Sequence, residues 1–354
     1  MKKILTTAAS LSLAMALLSG CAGKPAANAP SASSTPSSPS ASSQVQAETY
    51  VKTGLSVITS VLESKDASAE GDGAAQANIS LVAVTVGDDG VIDDCVIDMV
   101  QSKISFDTAG RLTTDPATTF ASKNELGDAY GMKKGSSIGK EWYEQAAAMA
   151  EYAVGKTVEE LKSIAVNEKG SPADADLASS VTLSIGGFLT GIEDAVNNAQ
   201  HLGAKAGDEL KLTSTTDMSK SKDASAEGDG LAQAYAIISA VTFDGDTITS
   251  CSIDAALANV NFSAAGVITT DLAAAQPTKN ELGDSYGMKK ASSIGKEWYE
   301  QAAAFGAYVT GKTADEVTAI AVDERTSPTE TDLTGSVTIG IGDFQALIEK
   351  AANH

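Results

Sequence analysis

Two histidines, His201 and His354, and three cysteines, Cys21, Cys95 and Cys251, are all that 354 residues offer of those types. One histidine falls between two repeated segments and the other at the C-terminus, so neither a Cys–His nor a Ser–His–Asp nucleophile system assembles within either repeat. Cys95 and Cys251 stand singly, one per repeat, which argues against a structural zinc site. Hydroxyls remain: Thr182 and Ser184 in the segment DLASSVTLS at 176–184, and Thr338 in its counterpart DLTGSVTIG at 332–340. Lys123, Lys133, Lys134 and Lys140, with their counterparts Lys279, Lys289, Lys290 and Lys296, concentrate positive charge and could form a polyanion site. Glu125, Asp128, Glu141 and Glu144 interleave with them, so a solvated, ion-paired loop is expected.

These residues sit downstream of a targeting segment. Met1, Lys2 and Lys3 precede an apolar run at 8–18, which ends in Leu18, Ser19, Gly20 and Cys21. The run is too short to span a bilayer and has the pattern of a signal peptide. Its end resembles the bacterial lipobox, which implies cleavage before Cys21 and attachment of diacylglycerol to the Cys21 thiol. Acyl chains bind membranes with about 0.8 kcal/mol per buried methylene, so lipid on Cys21 would hold the chain to the outer face of the cell membrane. The expected layout is a signal peptide at 1–20 and a disordered tether at 21–46, rich in Ala, Ser and Pro and too poor in apolar surface to fold.

The formal charge of −21 disfavours nucleic acid and anionic lipid surfaces as partners. An anionic cofactor would need local help or a covalent bond to stay on such a chain. With 43% hydrophobic residues, the remainder has the composition of globular protein with room for two cores.

Residues 123–148 return at 279–304 with only Ser285 for Ala129 and Ala291 for Gly135, and residues 64–73 return unchanged at 221–230. A period this long is a domain duplication, not a solenoid, and the copies are placed at 47–200 and 205–354. The spacing between the two matched blocks is one residue shorter in the second copy, a loss best placed in the turn at 87–90. Each copy is α+β, with N-terminal β-hairpins followed by helices. The first has strands at 77–86 and 91–99 and a further tight turn within 104–112. A helix follows from Ser137 to Gly155, with Trp142, Ala146 and Met149 on one face. Capping boxes open short helices at Thr157 and Thr313, and amphipathic helices close the copies at 188–199 and 344–352. Cys95 and Cys251 fall at matched points of the second hairpin strand. Export permits a disulfide between them if the copies pack about a two-fold axis, and two buried thiols are the plainer expectation.

The segment at 176–184 resembles the flavinylation motif of FMN-binding lipoprotein domains, Asp-x-x-Ser/Thr-Gly-Ala-Thr-x-Ser/Thr, at Asp176, Ser179, Thr182 and Ser184. The order of a Gly- and Asp-rich turn, hairpin, Lys-rich loop, helix, motif and final helix extends the resemblance over nearly all of each copy. It implies an FMN-binding-domain-like fold and covalent FMN, joined by a flavin transferase through a phosphoester to Thr182 and Thr338. Asp176 and Asp332 would help the transferase recognise the site, and the flavin would relay electrons to redox partners outside the membrane. Ser180 and Val181, like Ser336 and Val337, replace the family's Gly-Ala pair, and Gly335 and Gly340 replace hydroxyl residues in the second copy. Read without the family, 181–185 and 337–341 alternate as β-branched strands. Two functions therefore stand as expectations: a flavin electron carrier, or a flavin-free surface binding or structural lipoprotein.

Overall fold

The computed structural model describes residues 49–353, so the signal peptide, Cys21 and the tether lie outside the described residues. The first copy contributes β1 (Lys52–Ser60), β2 (Gly73–Val86) and β3 (Ile92–Phe106), then α1 (Lys123–Leu126), α2 (Trp142–Ala153), α3 (Val158–Lys162), α4 (Ala175–Ala178) and α5 (Gly186–Asn197). The second repeats this order with β4 (Glu209–Asp217), β5 (Gly230–Asp244), β6 (Thr247–Phe262), α6 (Lys279–Leu282), α7 (Trp298–Val309), α8 (Ala314–Thr318), α9 (Thr331–Thr334) and α10 (Gly342–Asn353). Each trio of strands is an antiparallel sheet in sequential order. Strands come first and helices after in both copies.

The central strands are apolar on both faces because both faces are covered. In β2, Ala75, Ala77, Ile79, Leu81 and Ala83 point toward the other sheet, while Val82, Val84 and Val86 point toward the helices of their own copy. Helix α5 packs over β1 and β2 and α2 over β3, and the second copy is built the same way. The two sheets share one core across the copies, lined by many alanines, including Ala232, Ala234 and Ala236 of β5, whose small side chains suit two closely approaching sheets.

The copies are related by a pseudo-two-fold axis, shown by contacts that occur in reciprocal pairs. The Ala67 N–H donates to the Gly266 carbonyl, and the Ala224 N–H to the Gly110 carbonyl, both at 2.8 Å. The Asp66 carboxylate accepts the Ile268 N–H, and Asp223 accepts the Leu112 N–H, both at 2.7 Å. The equivalent rings of Phe106 and Phe262 stack on each other with centroids 4.2 Å apart. The unchanged block at 64–73 and 221–230 thus carries the reciprocal seam. The single-residue difference falls where the sequence places it: Val86 pairs with Ile92 across residues 87–91, whereas Phe243 pairs with Ile248 across the shorter 244–247.

Three expectations are corrected. Helix α2 starts at Trp142, not Ser137, because Glu141 caps it in a reciprocal box with Glu144. The stretches 181–185 and 337–341 are not strands but loops into α5 and α10, each buried only at its two end residues, Val181 and Ile185 in the first copy and Val337 and Ile341 in the second. Lys123 and Lys279 are buried, not solvated.

Candidate functional site

The repeated block 123–148 braces itself against β3. Asp98 on β3 is buried, and its Oδ1 accepts the Asn124 N–H at 3.0 Å, while the Asn124 side chain returns a bond to the Ile97 carbonyl at 3.0 Å. These bonds dock α1. The Lys123 Nζ then lies 4.5 Å from the Tyr130 ring centroid and 4.9 Å from that of Trp142, a cation–π arrangement that offsets part of its desolvation. Further on, the buried Glu141 carboxylate accepts the successive N–H groups of Met132 and Lys133, each at 2.8 Å.

One turn along α2, the fully buried Gln145 connects this block to the motif segment. Its Nε2 donates to the Ser136 hydroxyl and the Lys140 carbonyl, and its Oε1 accepts the Thr182 N–H at 2.9 Å and the Thr182 hydroxyl at 3.2 Å. The Ser171 hydroxyl holds the Thr182 carbonyl from the other side at 2.7 Å. The second copy repeats the core of this network, with Gln301 Oε1 accepting the Thr338 N–H at 2.8 Å and its hydroxyl at 3.2 Å. Thr182 and Thr338 are half-buried, whereas Ser184 is exposed. Asp176 and Asp332 lie on the exposed first turns of α4 and α9.

Gln145, Glu141 and Asp98 did not stand out by residue type. Their signal was repetition: Gln301, Glu297 and Asp254 occupy the same places in the second copy. Trp142 and Trp298 are core residues, each set edge-on against the first aromatic ring of its closing helix, Phe188 at 5.8 Å and Phe344 at 6.0 Å. Cys95 and Cys251 are buried free thiols on the helix-covered faces of different sheets. Burial pushes the Cys251 thiol up to about 12, and that of Cys95 up as well, so neither is a ready nucleophile. The pseudo-two-fold axis passes by Phe106 and Phe262 instead.

In the second copy, burial lowers Lys279 to about 8 despite three rings around it, and the Lys279 Nζ donates to the Tyr235 hydroxyl at 2.8 Å. Burial also raises Asp254 to about 6, against the bonds it accepts from Thr278, Asn280 and Ala255.

One departure of the second motif, Gly340 in place of a hydroxyl residue, has a local cause, and nothing in the structure explains Gly335. Thr326 replaces Gly170 and adopts a left-handed φ of 59°. Its hydroxyl stands 2.5 Å from where a Cβ on Gly340 would lie, just as Ser184 stands 2.7 Å from a Cβ built on Gly170. The bulk has changed sides of one contact.

Among the described residues no group of three or more His, Cys, Asp or Glu side chains is placed to hold a metal ion, and no helix is long and apolar enough to cross a membrane. Compared with known proteins, the chain matches no family model, no curated protein and no solved structure.

Proposed function

We propose that this chain is an extracytoplasmic lipoprotein, anchored through lipid on Cys21, whose duplicated α/β body is a flavin-free binding module held off the membrane by its tether. The supporting observation is that each motif threonine is used inside the fold: one buried glutamine oxygen takes both its N–H and its hydroxyl, in both copies. Modifying such a hydroxyl removes a bond from a buried network, where an unmatched polar group costs about 1–3 kcal/mol. The lipobox-like end of the leader supports the anchoring.

A second reading retains FMN on Thr182, in a domain like those of FMN-binding lipoproteins. It is favoured by the start of α5, where Gly186 and Gly187 follow the motif and no side chain caps the helix, leaving N–H groups suited to a phosphoester. On that reading the partners are a flavin transferase and redox proteins, and Asp176, Asp332, Ser184 and Thr338 belong to the attachment sites.

Fractionation of cells expressing the full chain tests the proposal. The chain is expected in the membrane fraction, colourless after purification and denaturation, and the Cys21→Ala variant in the soluble extracytoplasmic fraction. A Cys21→Ala chain still bound to membrane would overturn the anchoring. Yellow colour that survives denaturation would replace the flavin-free reading with the second one.

A further inference from the structure

The seam between the copies carries two pseudo-symmetric pockets in which one position has opposite charge. On one side β3 meets the edge strand β4 beside α10, and the pocket there is lined by Asp98, Ser122, Asn124, Glu125, Ser214 and Lys350. The Lys350 Nζ fills its place from within: it pairs with Glu125 Oε1 and donates to the Ser214 carbonyl at 2.6 Å. On the other side β6 meets the edge strand β1 beside α5, and the same places are taken by Asp254, Thr278, Asn280, Glu281, Val57 and Asp194. Asp194 is the counterpart of Lys350, at the same position of the closing helix.

The atoms that hold the Lys350 ammonium have counterparts in the β1–β6 pocket, and only the lysine is gone. Glu281 Oε2 accepts the Thr278 N–H at 2.8 Å, as Glu125 Oε2 accepts that of Ser122 at 2.7 Å, so the two carboxylates are held the same way round. Glu125 Oε1 takes Lys350, whereas Glu281 Oε1 has no side-chain partner among the described residues. Val57 pairs with Leu81 in the register in which Ser214 pairs with Ile238, which sets the Val57 carbonyl at the matching place on the strand edge. The pocket has a volume of about 390 Å³, and no basic residue lines it. Asp194, Asp254 and Glu281 share it without a counter-charge; burial raises Asp194, and Glu193 and Glu281 raise it further. Among the described residues no three carboxylates are placed to hold a metal ion, whereas an ammonium needs only the two oxygens that hold Lys350.

We infer that the β1–β6 pocket binds the primary ammonium group of an alkylamine, set on Glu281 and the Val57 carbonyl as Lys350 is set on Glu125 and the Ser214 carbonyl. Lys350 is itself a primary alkylammonium, so the molecule shows in its other half that this frame accepts the group. Asp194 adds a carboxylate where the lysine stem would run, and the ammonium supplies the charge-assisted hydrogen bonds that the three carboxylates lack. This inference rests on the binding-module reading and names its ligand class.

The test is calorimetric titration of the lipid-free full chain with pentane-1,5-diamine, at physiological ionic strength so that general attraction to an acidic protein is screened. Saturable single-site binding is expected, weakened about tenfold or more by Asp194→Asn and lost in Asp194→Lys, whose own ammonium would take the place. Glu324→Lys, which changes the net charge as much at an exposed position lining neither pocket, should bind as the unaltered chain does. A tripeptide with a central lysine and blocked ends, titrated in parallel, separates the sources. Tighter binding of the peptide assigns the pocket to a lysine of a partner protein, and tighter binding of the diamine to a free amine; both uphold the inference. No saturation with either probe at millimolar concentration, indifference to Asp194→Asn, or equal loss in Glu324→Lys would overturn it. So would calcium chloride binding more tightly than both amines. Membrane fractionation and colour read the anchoring and flavin status independently of any of these outcomes.

Discussion

Gln145 divides its amide among the Ser136 hydroxyl, the Lys140 carbonyl and both polar groups of Thr182, from a position with no solvent exposure. Truncation leaves the Thr182 N–H without this partner and opens space in a close-packed layer. Gln145→Ala is expected to lower unfolding stability by about 2–4 kcal/mol, read from urea denaturation midpoints. A change below about 0.5 kcal/mol, the range of ordinary surface substitutions, would mean the network does not hold the motif segment. Titration of the buried charges gives a second expectation at this scale. Lys279 is lowered to about 8 from 10.5, so the unfolded chain binds the extra proton between those values and stability rises with pH across them. Asp254 is raised to about 6 from 3.8, so the folded chain binds the extra proton there and stability falls as pH climbs from about 4 to about 6. Each shift corresponds to about 3 kcal/mol. In urea denaturation from pH 4 to 10, Lys279→Met should remove the rise between about 8 and 9, above which the buried Cys95 and Cys251 thiols act in the opposite sense, and Asp254→Asn should make the acidic fall shallower while the raised Asp94, Asp98 and Asp343 keep part of it.

At the scale of elements, the loop entering α10 keeps the geometry of the loop entering α5 by exchanging which side of a contact carries a side chain. Gly340→Ser alone should destabilise by about 1–3 kcal/mol, because the new side chain meets Thr326. Combined with Thr326→Gly, which also removes a β-branched residue from left-handed φ, the loss should be recovered. A double-mutant cycle that shows no favourable coupling would refute the exchange. The same scale shows why some elements were legible in sequence and others not. The hairpins announced themselves through β-branched runs around Gly- and Asp-rich turns, and the Thr157 and Thr313 capping boxes are local motifs that the structure forms as read. Strands β1 and β4 were missed because Gly54, Ser56, Thr213 and Ser214 break the apolar alternation, and the structure buries those polar positions beneath α5, α10 or the opposite sheet. The start of α2 was misread because a glutamate, Glu141, takes the place of the usual Ser or Thr in its capping box, and the apparent strand at 181–185 because a tertiary partner, Gln145, decided it. Lys123 and Lys279 look like surface lysines by type, and only the rings brought over them by folding explain their burial.

For the whole molecule, duplication has produced a shared core as well as two similar halves. Phe106 and Phe262 stack on the pseudo-two-fold axis, and Asp66 and Asp223 close the seam reciprocally. Phe262→Ala is therefore expected to cost about 3–5 kcal/mol and to lower the stability of both copies together, seen in calorimetry as one transition moved to lower temperature. Two transitions, only one of them shifted, would show that the copies fold separately. The central claim at this scale is that the body is a lipid-anchored module whose motif threonines serve the fold and carry no flavin. Intact-mass spectrometry of the mature chain, coexpressed with a transferase from a flavin-lipoprotein system, tests it most directly. The account predicts lipidation on Cys21 and no further increment; an FMN-sized increment that disappears in Thr182→Ala would contradict it.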